Sequence, residues 1–442
     1  MKKIKILFFA FTFPVLIEPY IFCEELTPEQ ACELAATNNI SYKLAGLKSE
    51  KEKDAVLQSA ARLLPSVEAY ASQSRTFKEN LSAIGFDIAG QDPTMAGPFN
   101  TFNAGLKLTE NIFNLSLTEK EKTAEENAAI FSMMKELALT QVEAAALVSY
   151  FDAFRALKRI EVSLSEEKLA LELYQLARDK YEAGTAAMID VTRAESNLAQ
   201  AHMKVTESRA AYEQSLLNLK HIIRFPLGEP LTLKNSSSLP KPDMSEEEAV
   251  KSALTKRIEI KIQRARVKSQ EHALKAQKNE ALPNFLITAE TAYSGNQLDS
   301  KARLVGDAGI MMRVPLFEGG LISASCAAKD KELKMENEQL SDTMTQIEKE
   351  ARISLLRVKE AIDNIAAAEK ILKLAKEEVE MAKDRFSSGV GDNLELTAAQ
   401  TQLSKADDIY IESILNADIR AVNFFLSTGR MENLIKEIKN GK

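Results

Sequence analysis

The stretch Leu176–Ala201, LARDKYEAGTAAMIDVTRAESNLAQA, recurs without a gap as Met381–Ala406, MAKDRFSSGVGDNLELTAAQTQLSKA. The two copies share Ala177/Ala382, Asp179/Asp384, Gly184/Gly389, Thr192/Thr397, Ala194/Ala399, Leu198/Leu403 and Ala201/Ala406. Each copy reads as an apolar helical pattern, a glycine where positive φ costs little, and a polar opening to a second helical pattern. A duplicated chain with two helical hairpins is the economical reading, and Gly184 and Gly389 mark their tips.

The pattern around the tips extends the duplication. Thr27 opens TPEQACELAATNN with a capping signature and a helix running to about Arg62; its counterpart opens at Ser245 and runs to about Ala281. Both helices meet a stop, Leu64-Pro65-Ser66 and Leu282-Pro283-Asn284. Beyond each proline the apolar period falls to two: Val67, Ala69 and Ala71, then Phe102, Ala104, Leu106 and Leu108; in the second copy Phe285, Ile287 and Ala289, then Ala308, Ile310, Met312 and Val314. These segments predict β-hairpins over 66–113 and 284–317, each strand near the roughly 9–11 residues that a tilted strand needs to cross a membrane. Surface hairpins packed on helices would alternate in the same way.

Long helices follow, from about Leu117 to Tyr181 and from about Leu321 to Phe386, each on the order of 95 Å at 1.5 Å per residue. Near the second tip Ile365, Leu372, Val379 and Phe386 fall seven apart with Ala368, Ala375 and Ala382 between them, a close-packing seam that Ala170, Tyr174, Ala177 and Tyr181 echo in the first copy. Return helices are expected over Met188–Ile223 and Asn393–Leu426.

The resulting organisation is a signal peptide over 1–23, a first repeat over 24–228, a Pro- and Ser-rich linker over 229–244, a second repeat over 245–429 and a Lys-rich tail over 430–442. The signal reading rests on Lys2, Lys3 and Lys5 ahead of the apolar run ILFFAFTFPVLI, too short for a helical span. Cys23 either precedes the cleavage point or is a lipid-bearing first mature residue, with Phe22 bulky for lipoprotein processing. Cys32 and Cys326 lie in different repeats and make no disulfide scaffold. A net charge of −7 with no basic tract argues against a nucleic-acid partner.

Four membrane strands per chain cannot close a cylinder, and an open edge in hydrocarbon strands its amides at several kcal/mol apiece. Other copies must complete it, two giving eight strands and three giving twelve with room for a lumen. The fold class expected is mainly α with a membrane β-barrel portion, built from duplicated helix-strand-strand-helix-helix units.

The order of these features, with the segments Ala104–Phe113 and Ala308–Phe317 and the tips YEAGTAAMIDV and FSSGVGDNLEL, resembles the TolC-type outer membrane efflux proteins over nearly the whole mature chain. That resemblance implies a homotrimer with a twelve-stranded barrel in outer-membrane lipid and an α-helical tunnel in the periplasm. It further implies a passive export duct for small molecules or polypeptides, served by a periplasmic adaptor (membrane fusion protein) and an inner-membrane pump of the RND or ABC type.

The resemblance also puts a carboxylate ring at the tunnel entrance on Glu395, while a second acidic position falls on Ala398, a linking tyrosine on Phe386 and a linking arginine on Gly391. In the first repeat Tyr181 and Asp190 match, and Arg193 is a candidate cation. Three copies of Glu395 would favour cations; equally, Asp190 and Glu395 sit near helix N-termini, where negative charge is favourable by about 0.3–1 kcal/mol. Gly184 and Gly389 are turn formers first and adaptor-docking candidates second. No cofactor, metal or catalytic group is expected, because His202, His221 and His272 lie apart on helices and no phosphate loop or triad appears. The competing readings are a periplasmic adaptor and a coiled-coil protein without a pore.

Overall fold

The structure, a computed structural model, describes residues 25–76, 79–80, 95–96, 99–234, 239, 244–296, 302–391 and 393–439. The signal segment with Cys23, most of the first hairpin loop and much of the 229–244 linker lie outside the described residues.

In each repeat the expected first helix is two helices. In the first, α1 (Pro28–Asn38) and α2 (Ile40–Ala61) are separated by Asn39; in the second, α5 (Glu246–Lys256) and α6 (Ile258–Asn279) are separated by Arg257. Both separators are extended, with ψ 133 and ψ 128. Capping boxes open α1 and α5: Gln30 N–H donates to Thr27 Oγ1 at 3.2 Å, and Glu248 N–H to Ser245 Oγ at 3.2 Å. The breaks have a packing reason. Asn39 accepts from Ser41 N–H at 2.8 Å and donates Nδ2 to the Ile222 carbonyl at 2.9 Å, so it caps one helix while satisfying the end of another.

That other helix is the return helix of the hairpin. The long helix α3 (Leu115–Glu182) turns back as α4 (Met188–Ile223), and α7 (Leu321–Ser387) turns back as α8 (Asn393–Ser427). With 68 residues, α3 runs about 100 Å. It is lined first by α4 and then by α2, which meet end to end at Asn39; α7 is lined likewise by α8 and α6, which meet where Arg257 Nη1 reaches the Ser427 carbonyl at 3.5 Å.

Between helices lie β1 (Ser66–Thr76), the two-residue pair β2 (Glu79–Asn80) and β3 (Met95–Ala96), β4 (Phe99–Phe113), β5 (Asn284–Gly295) and β6 (Arg303–Arg313). One antiparallel sheet holds β1-β4-β5-β6, so the strands of the two repeats join through β4 and β5. The register puts Val67 opposite Leu108, Leu108 opposite Ala289 and Ala289 opposite Ala308; Ala71, Ala104, Tyr293 and Leu304 form another such row. This is the apolar face that the alternation predicts. On the other face Glu68, Lys107, Glu290 and Asp307 form one row, and Tyr70 reaches across Gly105 to hydrogen-bond Glu290. The apolar face stands open: Ile310 is 71% and Leu304 63% exposed.

The main core sits at mid-length, where α1, α3, α4 and α8 meet. Fully buried Tyr150 donates to the carbonyls of Leu26 and Lys234, at 3.1 and 2.6 Å, pinning the N-terminal segment to the linker. The segment read as a Lys-rich tail forms α9 (Met431–Lys439), whose Met431 and Leu434 are buried in this core while Lys439 pairs with Glu33 at 2.7 Å. Among the described residues no helix is long and apolar enough to cross a membrane.

Candidate functional site at the hairpin tips

The two tips are built alike. Gly184 and Gly389 both have φ +74, and the bonds Thr185 N–H to Lys180 O (2.9 Å) and Val390 N–H to Arg385 O (3.0 Å) close the helix ends. A methyl added at either glycine would touch nothing within 4 Å, so backbone conformation alone demands glycine there.

The predicted site residues divide into two groups. In the first repeat Asp190 caps α4 by accepting from Ala187 N–H at 3.3 Å, and Arg193 lies 3.8 Å from its carboxylate. In the second, Glu395 is 3.1 Å from Arg385 Nε. Gly391, where the resemblance calls for arginine, leaves room for this pair: a Cβ there would lie 3.0 Å from Arg385 Cβ and 3.1 Å from Glu395 Oε2. The guanidinium beside the candidate ring carboxylate thus comes from Arg385, six positions earlier, which sequence comparison did not single out.

Phe386 and Tyr181 occupy equivalent positions in the duplication but different surroundings. Phe386 is 5% exposed, packed on Leu173, Val379, Leu396 and Ala399, with Lys180 Nζ 5.2 Å above its ring. Tyr181 is 45% exposed. The difference follows from helix order: α8 packs extensively against both α7 and α3, covering Phe386, whereas α4 packs chiefly on α3, with only slight contact to α1 and α8, and leaves Tyr181 at the margin of the chain.

Two further residues join the tips. Asn393, 5% exposed, donates Nδ2 to the Asp190 carbonyl at 2.7 Å, and Asn197 donates to Thr397 Oγ1 at 3.2 Å. Asn393 falls opposite Met188 in the duplication, so the repeat gives no signal for it. Farther from the tips, Arg159 to Asp408 (3.1 Å) and Lys204 to Ser404 (2.7 Å) tie the hairpins at their half-buried margins. Two of the histidines are not solitary, since His202 and His272 lie 2.7 and 2.6 Å from Glu167 and Glu119; among the described residues no group of three metal-ligating side chains converges.

The sequence matches the outer membrane efflux protein family over residues 32–223 and 249–430. The chain belongs to that family. Among solved structures, it is similar to the Campylobacter jejuni CmeC outer membrane channel (18% identity, 94% of this chain and 89% of that one, TM-score 0.78). It is also similar to the Vibrio cholerae outer membrane protein VceC (14%, 91% and 96%, 0.77) and the open state of the Neisseria gonorrhoeae MtrE outer membrane channel (17%, 91% and 88%, 0.75). No curated protein sequence matches the chain. The fold of an outer membrane efflux protein therefore holds over both repeats, and nothing in the matches supports the adaptor or pore-less readings.

Proposed function

We propose that three copies of this outer membrane efflux protein assemble into a passive duct, a twelve-stranded barrel in outer-membrane lipid continued by a helical tunnel through the periplasm. One observation carries this reading. The sheet β1-β4-β5-β6 is a meander whose outer strands each have a single partner among the described residues, so β1 and β6 offer free edges. In hydrocarbon such edges are untenable, and an edge-to-edge join of β6 on one copy to β1 on the next satisfies both. Three copies give twelve strands, wide enough for a lumen. The exposed Tyr181 supports the same geometry, since a neighbouring copy would cover it as α8 covers Phe386.

Transport through such a duct needs no covalent step in this chain; energy comes from an inner-membrane pump, RND or ABC, reached through a periplasmic adaptor at the tips. The cargo is small molecules or polypeptides selected by that pump. Gly184 and Gly389 shape the docking surface, and Asp190, Arg193, Glu395 and Tyr181 border the entrance, with Phe386 packed behind them. Native mass spectrometry of the detergent-extracted protein should give a trimer, SDS gels a heat-modifiable band, and planar bilayers discrete conductance steps. A monomer, or recovery in the aqueous fraction without detergent, would overturn the duct.

A further inference from the structure

At mid-length, where α8 ends and α6 begins, α3 and α7 border a cavity of about 480 Å³. It lies within one chain, and its charges are unequally matched. Arg257 is largely buried and engages two carboxylates at once, Glu350 at 2.7 Å through Nη1 and Glu259 at 3.0 Å through Nε. Gln346 donates a further bond to Glu350 at 3.0 Å, so both acidic groups of the lining are occupied. Three more cations line the same space, half-buried Arg420 and exposed Lys349 and Arg357, and none of their side chains makes a hydrogen bond or ion pair with a described residue. Ile353 and Leu426 supply apolar wall.

Unpaired cations on a surface are ordinary when each is solvated separately. Here three line one concavity beside a fourth cation, Arg257, that is already balanced, in a chain whose net charge is −7. A concave site lined by donors with partly apolar walls suits a small ligand, and guanidinium forks match planar or tetrahedral oxyanions. The geometry points to a binding site for a small organic anion: a carboxylate, sulfonate or phosphate group held by Arg420, Arg357 and Lys349, with an apolar body against Ile353 and Leu426. All of its lining comes from one chain, so its occupancy is read apart from conduction.

Equilibrium dialysis of the full-length protein in non-ionic detergent tests this, with 2-naphthalenesulfonate as probe and the neutral 2-naphthalenesulfonamide as its uncharged counterpart. Saturable binding of one sulfonate per chain is expected, with the sulfonamide at least tenfold weaker. Arg420→Gln and Arg357→Gln should each weaken sulfonate binding about tenfold while leaving the circular dichroism and oligomeric state unchanged. Ile353→Ser should weaken the sulfonate but not inorganic phosphate added as competitor. Equal binding of sulfonate and sulfonamide, or sulfonate binding unaltered in both arginine variants, would overturn the site; phosphate competing as well as naphthalenesulfonate would overturn its organic character. Single-channel conductance of the same variants reads the duct separately, so loss of binding with normal conductance, or the reverse, tells the two proposals apart.

Discussion

Gly105 is the position at which one methyl group should cost most. It lies in β4 at the join between the repeats, opposite Tyr70 on one side and Ala292 on the other. A Cβ built there would collide with the Thr291 carbonyl oxygen and come within 2.6 Å of Ala292 Cβ and 2.7 Å of Ala292 Cα. Carbon contacts are comfortable at about 3.5–4.0 Å, so β4 and β5 would have to part by about 1 Å. Separation on that scale stretches the neighbouring ladder bonds beyond useful length, and each is worth about 0.5–1.5 kcal/mol. Overpacking of this kind typically costs about 1–3 kcal/mol, and the proposed symmetric trimer would suffer it three times. Tyr70 would also lose the groove through which it reaches Glu290. The control is Gly309→Ala in β6, where an added Cβ meets nothing within 4 Å. The assay is the temperature at which the proposed SDS-resistant trimer dissociates on gels. Gly105→Ala should dissociate well below the parent, and Gly309→Ala at or slightly above it, because alanine removes unfolded-state freedom. Equal behaviour of the two variants would refute the claim that close approach of β4 to β5 requires the glycine.

Three other outcomes follow from the geometry. Asp418 is buried with the Leu239 N–H at 2.8 Å, and burial pushes its carboxyl up to about 6. A raised folded-state value means that the native state binds the extra proton: the penalty is full above about pH 6 and relieved as pH falls toward 4. Asp418→Asn should therefore stabilise by up to about 3 kcal/mol at pH 8 and by almost nothing at pH 4, read by thermal melts at both; Glu143, raised by burial to about 7, leaves a residual dependence of the same sign. Arg385→Gln should remove the cation 3.1 Å from Glu395 and raise the cation-to-anion permeability ratio in planar bilayers, and Glu395→Ala should lower it, each on the order of twofold at moderate salt. Unchanged ratios in both variants would remove the tip from selectivity. Gly389→Val forces a β-branched residue to φ +74, costing about 1–3 kcal/mol confined to the tip; the trimer should persist on gels while export in cells fails, and loss of the trimer instead would make the glycine's role purely structural.

The sequence carried the architecture because its signals are periodic and doubled. Leu-Pro stops, period-two strands and glycine tips appear at matching places in both copies, and the long helices fall within two residues of their expected bounds, Leu115–Glu182 and Leu321–Ser387. The breaks at Asn39 and Arg257 escaped it, since neither residue interrupts a helical pattern locally. They form because the ends of α4 and α8 arrive there from about 180 residues away, on the order of one repeat, bringing carbonyls that need a donor. The Lys-rich tail escaped for a related reason, since a short helix as small as α9 is stable only on the core that receives Met431 and Leu434.

At the tips the division is sharper. Local chemistry alone dictates Gly184 and Gly389, because positive φ is a property of one residue. Pairing of Glu395 with Arg385, the room that Gly391 leaves for it, and the reach of Asn393 to the Asp190 carbonyl depend on which helices lie side by side. The duplication even suggests that Tyr181 and Phe386 should behave alike, yet one is open and the other covered. Sequence repeats fix what each copy can form, but a chain with two ends cannot surround both copies equally, so only the packed structure decides which of two equivalent side chains is left for a neighbour.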